Sequence, residues 1–391
     1  MVGIPPFDVE QWMDTYETWP DVLNIAETCC SSISVDELIQ FNTDEGASPP
    51  IDISARLGYG AIRGSDKLRK NISQLYDGAA APESVVTFAG AISANYLVFY
   101  TLVGPGDHVI CVYPTYQQLY TVPETLGAEV SLWKLEPQDN FVPDVKVLEK
   151  LIKSNTKMIV INNPNNPTGA TIPKSTLEHI VEVARRHDII VFSDEVYQPL
   201  FHSLEGDAPP SVLSLDYDKS VVTGSMSKAW ALAGVRLGWV ASRDKEMVEA
   251  IASARDYTTI SVSQLDDQVA AYALSPAVRP NLLSRNLALA KKNLAILERF
   301  VEAHPRNVSW VKPTAGTTAF VQFKRPEDGE PVDDVAFCLD VLEKTKAFFL
   351  PGSKCFGNGE DFKGHVRIGY VNETEVLEKA LQALSTYLDN I

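Results

Sequence analysis

The sequence predicts an α/β protein in which a mostly parallel sheet is covered by helices on both faces, joined to a smaller α+β domain. Between about residues 84 and 242, short apolar segments alternate with helical segments. Several of the short segments are apolar at nearly every position, which is typical of parallel strands buried on both faces. From about residue 275 the pattern changes to a long helical segment and then to short strands and helices, which indicates a second unit.

The strands of the larger unit are predicted at residues 85–89, 107–113, 129–135, 158–162, 189–194, 220–224 and 238–242. Amphipathic segments between them, such as residues 173–187, are predicted to be crossover helices. The smaller unit is predicted to contain a long helix ending at residue 304, a helix near 332–344, a closing helix, and strands at 308–311, 318–323, 347–350 and 365–371. The first ~45 residues are too few to form a core of their own, so we expect them to pack onto this unit. The expected domains are therefore a large cofactor-binding domain over residues 46–280 and a small domain formed by residues 1–45 and 281–391.

Composition argues against several kinds of partner. A length of 391 residues exceeds what one hydrophobic core usually holds, which agrees with two domains. The net charge of −17 would repel nucleic acid and anionic membrane surfaces, so neither is an expected partner. No apolar run approaches the length of a membrane span, and the first ten residues have neither the cationic start nor the apolar centre of a signal peptide.

The cysteines and histidines show no metal-ligand spacing, so we expect no metal site. The cysteines are odd in number and two of them are adjacent: Cys29, Cys30, Cys111, Cys338 and Cys355. This pattern is typical of reduced thiols rather than of a disulfide framework. We therefore expect a cytoplasmic protein.

Lys228 carries the strongest functional signal in the chain. It follows a predicted apolar strand, comes three positions after Ser225, and precedes Arg236 by eight positions. A lysine in this setting can bond covalently to an aldehyde cofactor, while Ser225 and Arg236 hold a phosphate of the same cofactor. The alternative is an ordinary lysine with a buried stem and an amine that reaches water.

Unusual residues also follow other predicted strands, at the sheet edge where open α/β sheets bind ligands. Gly90 opens a helix after strand 85–89, and backbone N–H groups at such a helix start can bind an anion. A plain tight turn is the alternative. Tyr116 follows strand 107–113 and could stack on a cofactor ring, or could be a core aromatic side chain.

Two further strand ends carry polar residues. Asn166 lies in a loop with two Asn-Pro pairs, whose restricted backbone would hold the side chain in place to donate to a phenolate oxygen. Asp194 ends strand 189–194, where a buried carboxylate needs a cation such as a protonated pyridine nitrogen. Alternatively, Asp194 caps the next helix. Tyr197, three residues on, could reach the same ring from its side.

A pyridine ring that carries a phosphate, an aldehyde and a phenolate is pyridoxal 5'-phosphate (PLP), and each of these groups has a partner among the residues above. This set of residues resembles the fold-type I PLP-dependent enzymes, specifically the class I/II aminotransferase family. The resemblance covers most of the chain, with motifs in order at residues 57–60, 104–107, 166–169, 193–197, 225–236 and 366–368. It implies the fold-type I PLP-transferase architecture and PLP as the cofactor.

The resemblance implies a role for each of these side chains. Lys228 is similar to the Schiff-base lysine that also moves the proton, and Asp194 is similar to the partner of the pyridine nitrogen. Tyr197 and Asn166 match the pair that bonds the ring hydroxyl, and Tyr116 matches the stacking aromatic residue. The residues that match the phosphate-binding group are Gly90, Ala91, Ile92, Ser225 and Arg236. Many relatives have hydroxyl residues where this chain has Ala91 and Ile92, so backbone N–H groups must hold more of the phosphate here.

Arg367 matches the arginine that binds the substrate α-carboxylate with a bidentate fork, with Asn166 as a second substrate contact. By itself, an arginine in an apolar strand would be interpreted as part of an inward salt bridge. Tyr59 matches a tyrosine that reaches the phosphate of the partner subunit, which implies a homodimer with shared active sites. Residues 27–34 take the place of a substrate-facing loop in relatives. They are unusual for a common aminotransferase and resemble the capreomycidine-synthase-like branch, in which the same scaffold performs another PLP reaction.

The resemblance implies that an L-amino acid and a 2-oxo acid exchange an amino group with ping-pong kinetics. In this reaction the Lys228 amine takes the Cα proton, for which we expect its surroundings to lower its pKa. A PLP-dependent lyase, a cyclase or a β/γ-substitution enzyme on the same scaffold is the main alternative, and a catalytically silent sensor is another. The substrate side chain stays open. Arg63 or Arg56 could meet an acidic group across the dimer, although an exposed charge is the simpler interpretation.

Overall fold

A computed structural model describes residues 3–44, 46 and 48–390 of the chain. Residues 1, 2, 45, 47 and 391, which fall within the predicted domain ranges, lie outside the described residues. The strands are β1 Leu23–Asn24, β2 Val85–Phe88, β3 His108–Tyr113, β4 Glu129–Lys134, β5 Thr156–Asn162, β6 Ile190–Asp194, β7 Ser220–Ser225, β8 Gly238–Ser242, β9 Val308–Trp310, β10 Thr318–Phe323, β11 Ala347–Phe348, β12 Leu350–Pro351 and β13 His365–Gly369.

The α-helices connect and cover these strands. They are α1 Asp8–Tyr16, α2 Val35–Ile39, α3 Asp66–Ser73, α4 Ala91–Leu102, α5 Gln118–Thr125, α6 Val145–Leu151, α7 Lys174–His187, α8 Lys245–Arg255, α9 Gln264–Ala273, α10 Arg279–Ala303, α11 Asp334–Thr345, α12 Gly352–Phe356 and α13 Thr374–Leu388. Local sequence explains many of the bounds. For example, α7 begins directly after Pro173 and has three basic residues in its last turn, where cations stabilise the helix dipole.

The large sheet has the strand order β2-β8-β7-β6-β5-β3-β4. Strands β3 to β7 pair in parallel, whereas β8 is antiparallel to both of its neighbours. Alternate residues of β3 pack in two separate apolar clusters, with Val109 and Cys111 in one and Ile110 and Val112 in the other. Both faces of the sheet are therefore covered, and the predicted mostly parallel α/β fold is confirmed.

The smaller unit contains an antiparallel sheet of strand order β12-β13-β10-β9 and a parallel pair formed by β1 and β11. Residues 347–350 were predicted as one strand, but they form two. Ala347 and Phe348 pair with β1, whereas Leu350 pairs with Arg367 in the four-stranded sheet. The chain passes from one sheet to the other at Phe349, and periodicity could not indicate this crossing because all four residues are buried.

The register of the large sheet brings three polar residues side by side at its carboxyl edge. Asn162 is opposite Asp194, which in turn is opposite Thr223. In parallel strands the carboxyl ends lie on one edge, so the loops that follow β5, β6 and β7 meet there. Among the described residues, no helix is both long enough and apolar enough to cross a membrane.

Candidate active site

A cavity of about 420 Å³ opens at this carboxyl edge, between the large sheet, the smaller unit and helix α1. The structure brings ten of the twelve predicted site residues to its wall: Ala91, Ile92, Tyr116, Asn166, Asp194, Tyr197, Ser225, Lys228, Arg236 and Arg367. Gly90 adjoins this group as the residue before α4. Tyr59 does not line the cavity of its own chain.

Lys228 lies in the turn that follows β7, with its amine inside the cavity. The Ser225 hydroxyl shapes this turn, because it accepts a hydrogen bond from the Ser227 backbone N–H at 3.0 Å. The Lys228 Nζ donates to Thr28 Oγ1 at 2.5 Å and lies 3.6 Å from Cys29 Sγ. Residues 28 and 29 belong to the segment after β1, so the smaller unit completes the surroundings of the lysine.

The surroundings of Lys228 shift its pKa in the direction opposite to the prediction. Burial by itself lowers the pKa of the amine, but Cys29, Tyr197 and Glu27 outweigh burial and raise it above the ordinary lysine value. Burial also raises the pKa of the Cys29 thiol to about 11, so Glu27 is the neighbour that carries a full negative charge at neutral pH. The prediction that the surroundings lower the pKa of Lys228 is therefore wrong for the protein without cofactor.

Asp194 ends β6 and is almost completely buried, with 4% of its surface exposed. Its carboxylate accepts hydrogen bonds from Asn95 Nδ2 at 2.9 Å and from the Val196 backbone N–H at 3.2 Å. Burial raises its pKa to about 6, although these two hydrogen bonds and Lys228 act in the other direction. No lysine, arginine or histidine of the described chain forms an ion pair with it. A buried carboxylate without a cation suits a protonated ring nitrogen.

The start of α4 and the side chain of Arg236 form an anion site. Gly90 precedes the helix with a φ of 80°, and a Cβ on it would lie 2.6 Å from Arg236 Nη2. Only glycine therefore lets the guanidinium reach the first turn, where backbone N–H groups have no partner within the helix. Arg236 is held there because its Nη1 donates to the Ala233 carbonyl at 3.1 Å and to Ser227 Oγ at 3.4 Å. A phosphate fits this arrangement.

Arg367 lies on β13 and is 3% exposed. Its Nη1 donates to Asn166 Oδ1 at 3.3 Å and its Nη2 to the Ala26 carbonyl at 2.9 Å, while its Nε has no hydrogen-bond partner in the described chain. No carboxylate among the described residues pairs with it, so the structure contradicts the inward salt bridge. A buried guanidinium with an unused N–H suits the carboxylate of a ligand.

Two tyrosines, Tyr116 and Tyr197, line the cavity. The Tyr197 side chain is buried, and burial raises the pKa of its phenol although Lys228 and Arg367 act to lower it. The Tyr116 hydroxyl donates to Glu10 Oε1 at 2.8 Å, and its ring lies 4.9 Å from that of Phe7. Tyr116 is therefore fixed by the segment around α1, with its ring on the cavity wall.

Several cavity residues were missed at the level of sequence. Asn95 lies one turn into α4, and its position after Ala91 was a usable signal because residues four apart share a helix face. Ser227 lies between two predicted residues, and Asn162 ends a predicted strand. The segment 27–34 was expected to face the substrate, but its contact with Lys228 was missed because that contact joins residues about 200 positions apart.

PLP fits the observed side chains. The buried carboxylate of Asp194 lacks a cation, the Arg236 guanidinium adjoins a helix start, and the Lys228 amine lines the same cavity as both of them. In residues 3–44, 46 and 48–390, no three His, Cys, Asp or Glu side chains are grouped so that they could hold a metal ion.

The chain is similar to several known proteins. Residues 36–384 match the family described as aminotransferase class I and II. The chain is 30% identical over 305 residues to capreomycidine synthase of Streptomyces vinaceus, which covers 78% of this chain and 74% of that protein. The structure is similar to a PLP-dependent aminotransferase of Streptococcus suis 89-1591, with a TM-score of 0.89 and 39% identity over 99% of this chain and 98% of that one. It is also similar to the PLP-dependent cyclase OrfR, with a TM-score of 0.86 and 25% identity over 99% and 97% of the two chains.

Proposed function

Because the chain belongs to the class I and II aminotransferase family and its cofactor is PLP, we propose that it transfers an amino group between an L-amino acid and a 2-oxo acid with ping-pong kinetics. One observation carries the proposal. An amine, a buried carboxylate without a cation and a guanidinium with an unused N–H converge on one cavity, from Lys228, Asp194 and Arg367. These are the groups that the reaction needs.

Bound PLP supplies an aldehyde that holds the amino group and a ring that takes up the electrons released at Cα. In our proposal the fork of Arg367 binds the substrate carboxylate and thereby orients the Cα–H bond. In its neutral form, the Lys228 amine would take the Cα proton of the substrate and move a proton to the former aldehyde carbon of the cofactor. Asp194 would keep the ring nitrogen protonated, Tyr197 and Asn166 would bond the ring hydroxyl, and Tyr116 would cover the ring.

The phosphate end is proposed to be held by the start of α4 together with Ser225 and Arg236. Ala91 and Ile92 have no side-chain donor, so their backbone N–H groups must carry this contact. Gly90 keeps the space for the guanidinium that completes the site. This part of the site binds and orients the cofactor without moving a proton.

A stoichiometric reaction tests transamination against the alternative. The PLP-loaded protein is mixed with one amino acid and no oxo acid, and the cofactor is followed by absorbance. Transamination predicts that one equivalent of cofactor changes to its amine form and that the reaction then stops. Continued turnover with the aldehyde form retained would reject it in favour of a lyase, a cyclase or a substitution enzyme. A PLP-dependent cyclase is the second candidate function, because the structure is similar to that of the cyclase OrfR.

We also propose a homodimer in which Tyr59 serves the partner's site. Tyr59 is 78% exposed and belongs to an exposed apolar surface of one chain that includes Leu57, Ile62, Tyr257 and Ile260. The two segments adjoin, because the Arg255 side chain donates to the backbone carbonyls of both Ile62 and Ile260. A monomer would leave this apolar surface in water.

The proposed domains are residues 46–280, and residues 1–45 with 281–391. The pairing of β1 with β11 supports placing the N-terminal segment with the second of these. A cytoplasmic location is proposed because the five cysteines are free and buried, which suits a reducing compartment.

A further inference from the structure

We propose that the amino-acid substrate carries a positively charged side chain, bound by the carboxylates of Glu10, Asp14, Glu17 and Glu27 on the cavity wall. This inference rests on the proposed function, which assigns binding partners to the α-amino and α-carboxylate groups of the substrate. It adds that the substrate side chain ends in an amine or a guanidinium, which these four carboxylates bind.

The cavity wall has more carboxylates than the proposed reaction uses. Its wall has three cations, which are Lys228, Arg236 and Arg367, and five carboxylates. The three cations are matched to the aldehyde, the phosphate and the α-carboxylate, and Asp194 is matched to the ring nitrogen. The remaining four carboxylates are not assigned to any group of the cofactor or to the α-carboxylate, and they form no ion pair with the described residues, although Glu27 is also a neighbour of Lys228 that raises the pKa of its amine. They would repel an acidic side chain and attract a cationic one.

Two of these carboxylates, Glu10 and Asp14, lie on one face of α1, and a third, Glu17, is the residue directly after the helix. The three are spaced by four and three residues, and Met13 from the same face of α1 also lines the cavity. Like charges four residues apart, such as Glu10 and Asp14, destabilise a helix. Asp14 and Glu17 also lie at the C-terminal end, where the helix dipole favours cations, and the last turn has no basic residue. A cation in the cavity would offset both effects.

Helix α1 is fixed against both units, so its charged face has a defined position. Glu10 accepts a hydrogen bond from the Tyr116 hydroxyl at 2.8 Å, and the buried Trp12 donates its Nε1 to the Phe349 carbonyl at 3.2 Å. The side chain of Gln117 exchanges two further hydrogen bonds with the backbone at and before the helix start. The carboxylates are therefore presented by an anchored element.

Glu27 approaches the same space from the smaller unit. One carboxylate oxygen accepts the backbone N–H groups of Thr28 at 2.6 Å and of Cys29 at 2.9 Å. Burial acts to raise its pKa, but Lys228 and these N–H groups keep the pKa below the usual value, so Glu27 is ionised. The segment lies close against β13, because a Cβ on Gly369 would be 1.8 Å from the Glu27 carbonyl oxygen.

A separate observation indicates a ligand at this site. Arg367 is 3% exposed, lines the cavity and has an Nε without a partner in the described chain. Glu17 in turn has a raised pKa, through burial and then through Glu27, Asp14 and Glu10, and all four carboxylates line the same cavity. A molecule with a carboxylate at one end and a cation at the other matches both parts of the cavity.

Calorimetric titration of the PLP-loaded protein with three carboxylic acids tests the proposal. The probes are 5-guanidinopentanoic acid, its neutral isostere 5-ureidopentanoic acid, and heptanedioic acid with a second negative charge. None has an α-amino group, so none can react at the cofactor. We expect the guanidino acid to bind at least about tenfold more tightly than the ureido acid, and the diacid to bind most weakly. Equal affinity for the guanidino and ureido acids would overturn the proposal.

A double variant assigns the preference to these carboxylates. In Asp14→Asn/Glu17→Gln the preference for the guanidino acid should fall to within about threefold, with the affinity of the ureido acid unchanged. The matched control is Glu136→Gln/Asp139→Asn, which removes the same charge at two exposed residues outside the cavity. A preference that survives in the cavity variant, or falls equally in the control, would reject the assignment.

A panel of L-amino acids with the loaded wild-type protein separates this inference from the proposed function. Transamination of neutral amino acids without preference for arginine, ornithine or lysine would contradict the inference and leave the function standing. Tight binding of the guanidino acid with no transamination of any amino acid would contradict the function alone.

Discussion

Arg367 Nη1 donates to Asn166 Oδ1 at 3.3 Å, although the two residues are 201 positions apart. Arg367 lies on β13 of the smaller sheet, and Asn166 lies in the loop after β5 of the large sheet. Asn166 is itself fixed, because its backbone N–H donates to Asn162 Oδ1 at 2.7 Å. The proposed carboxylate site and the proposed ring site are therefore connected by one hydrogen bond, and each unit of the protein supplies one of them.

Replacement of Arg367 should weaken substrate binding more than cofactor binding. Arg367→Gln removes a buried charge that meets the substrate carboxylate, which should cost about 2–5 kcal/mol, or at least a ~30-fold rise in KM. Arg367→Lys keeps the charge but loses the fork, so it should restore only part of the affinity. Steady-state kinetics gives KM, and borohydride trapping measures cofactor loading, which should stay near wild type. An unchanged KM in both variants would contradict the proposed role.

Lys228 should be the only lysine that bonds covalently to PLP. After incubation with the cofactor and reduction with borohydride, mass spectrometry of wild type should find one adduct, on Lys228. Lys228→Ala should show none and should lose several kcal/mol of barrier lowering, where each ~1.4 kcal/mol is a factor of ten. Lys219→Ala is a suitable control, because this lysine pairs with Asp188 at the surface. An adduct on another lysine would reject the assignment.

Loading of the cofactor should accelerate with pH. The attack on an aldehyde requires a neutral amine, and Cys29, Tyr197 and Glu27 raise the pKa of Lys228 above its usual value against the effect of burial. The neutral fraction therefore rises about tenfold per pH unit below that pKa, and the loading rate should rise between pH 7 and 9 without a plateau. Stopped-flow absorbance measures this rate. A plateau near pH 7 would show that the lysine pKa in the free protein is low.

The large sheet could be predicted because its strands follow a local pattern. Each predicted strand has an observed counterpart whose ends differ by at most two residues, as with β5, which begins at Thr156 rather than at residue 158. Strands buried on both faces are nearly continuous apolar runs, so one sequence is enough to find them. The smaller unit was predicted less well, since residues 347–350 change sheets within a run of buried residues.

The candidate site also has one part that could be predicted from local sequence and one part that could not. Asp194, Asn166 and Ser225 follow strand ends, so the topology brings them together without further information. The contacts of Lys228 with Thr28 and Cys29 depend on how the two units pack, and no local pattern encodes that packing. The error in the predicted direction of the Lys228 pKa has this cause, because Tyr197 was predicted at the site but the contacts of Cys29 and Glu27 with the lysine could not be identified from the sequence.

Tyr59 should act on the cofactor of the other subunit. Tyr59→Phe removes one hydrogen bond to a charged phosphate, worth about 1.5–3 kcal/mol, so PLP affinity should fall at least ~10-fold. Fluorescence titration measures the affinity, and Tyr257→Phe is the control because that tyrosine lies on the same exposed surface as Tyr59 but has no proposed contact with the phosphate. Mixed dimers of Tyr59→Phe and Lys228→Ala subunits give a sharper test. If Tyr59 serves the site of the partner subunit, each mixed dimer has one fully intact site. If Tyr59 serves the site of its own chain, the mixed dimer has none.

Glu195 should make the stability of the protein depend on pH. This carboxyl is 3% exposed, accepts the Val212 backbone N–H at 3.2 Å, and has a second oxygen without a partner in the described chain. Burial raises its pKa from 4.5 to about 8. The fold therefore keeps this proton up to about pH 8, whereas the unfolded chain releases it near pH 4.5, so Glu195 lowers the free energy of unfolding as pH rises through that window.

Glu195→Gln keeps the acceptor oxygen and cannot ionise. Relative to wild type, its free energy of unfolding should increase between pH 5 and pH 8.5 by an amount on the order of a few kcal/mol. Urea unfolding at both pH values, on protein freed of cofactor, measures the change. Glu136→Gln serves as the control because this glutamate is exposed, so its effect should be the same at both pH values. A Glu195→Gln effect that does not change with pH would mean that Glu195 is ionised in the folded protein throughout this range.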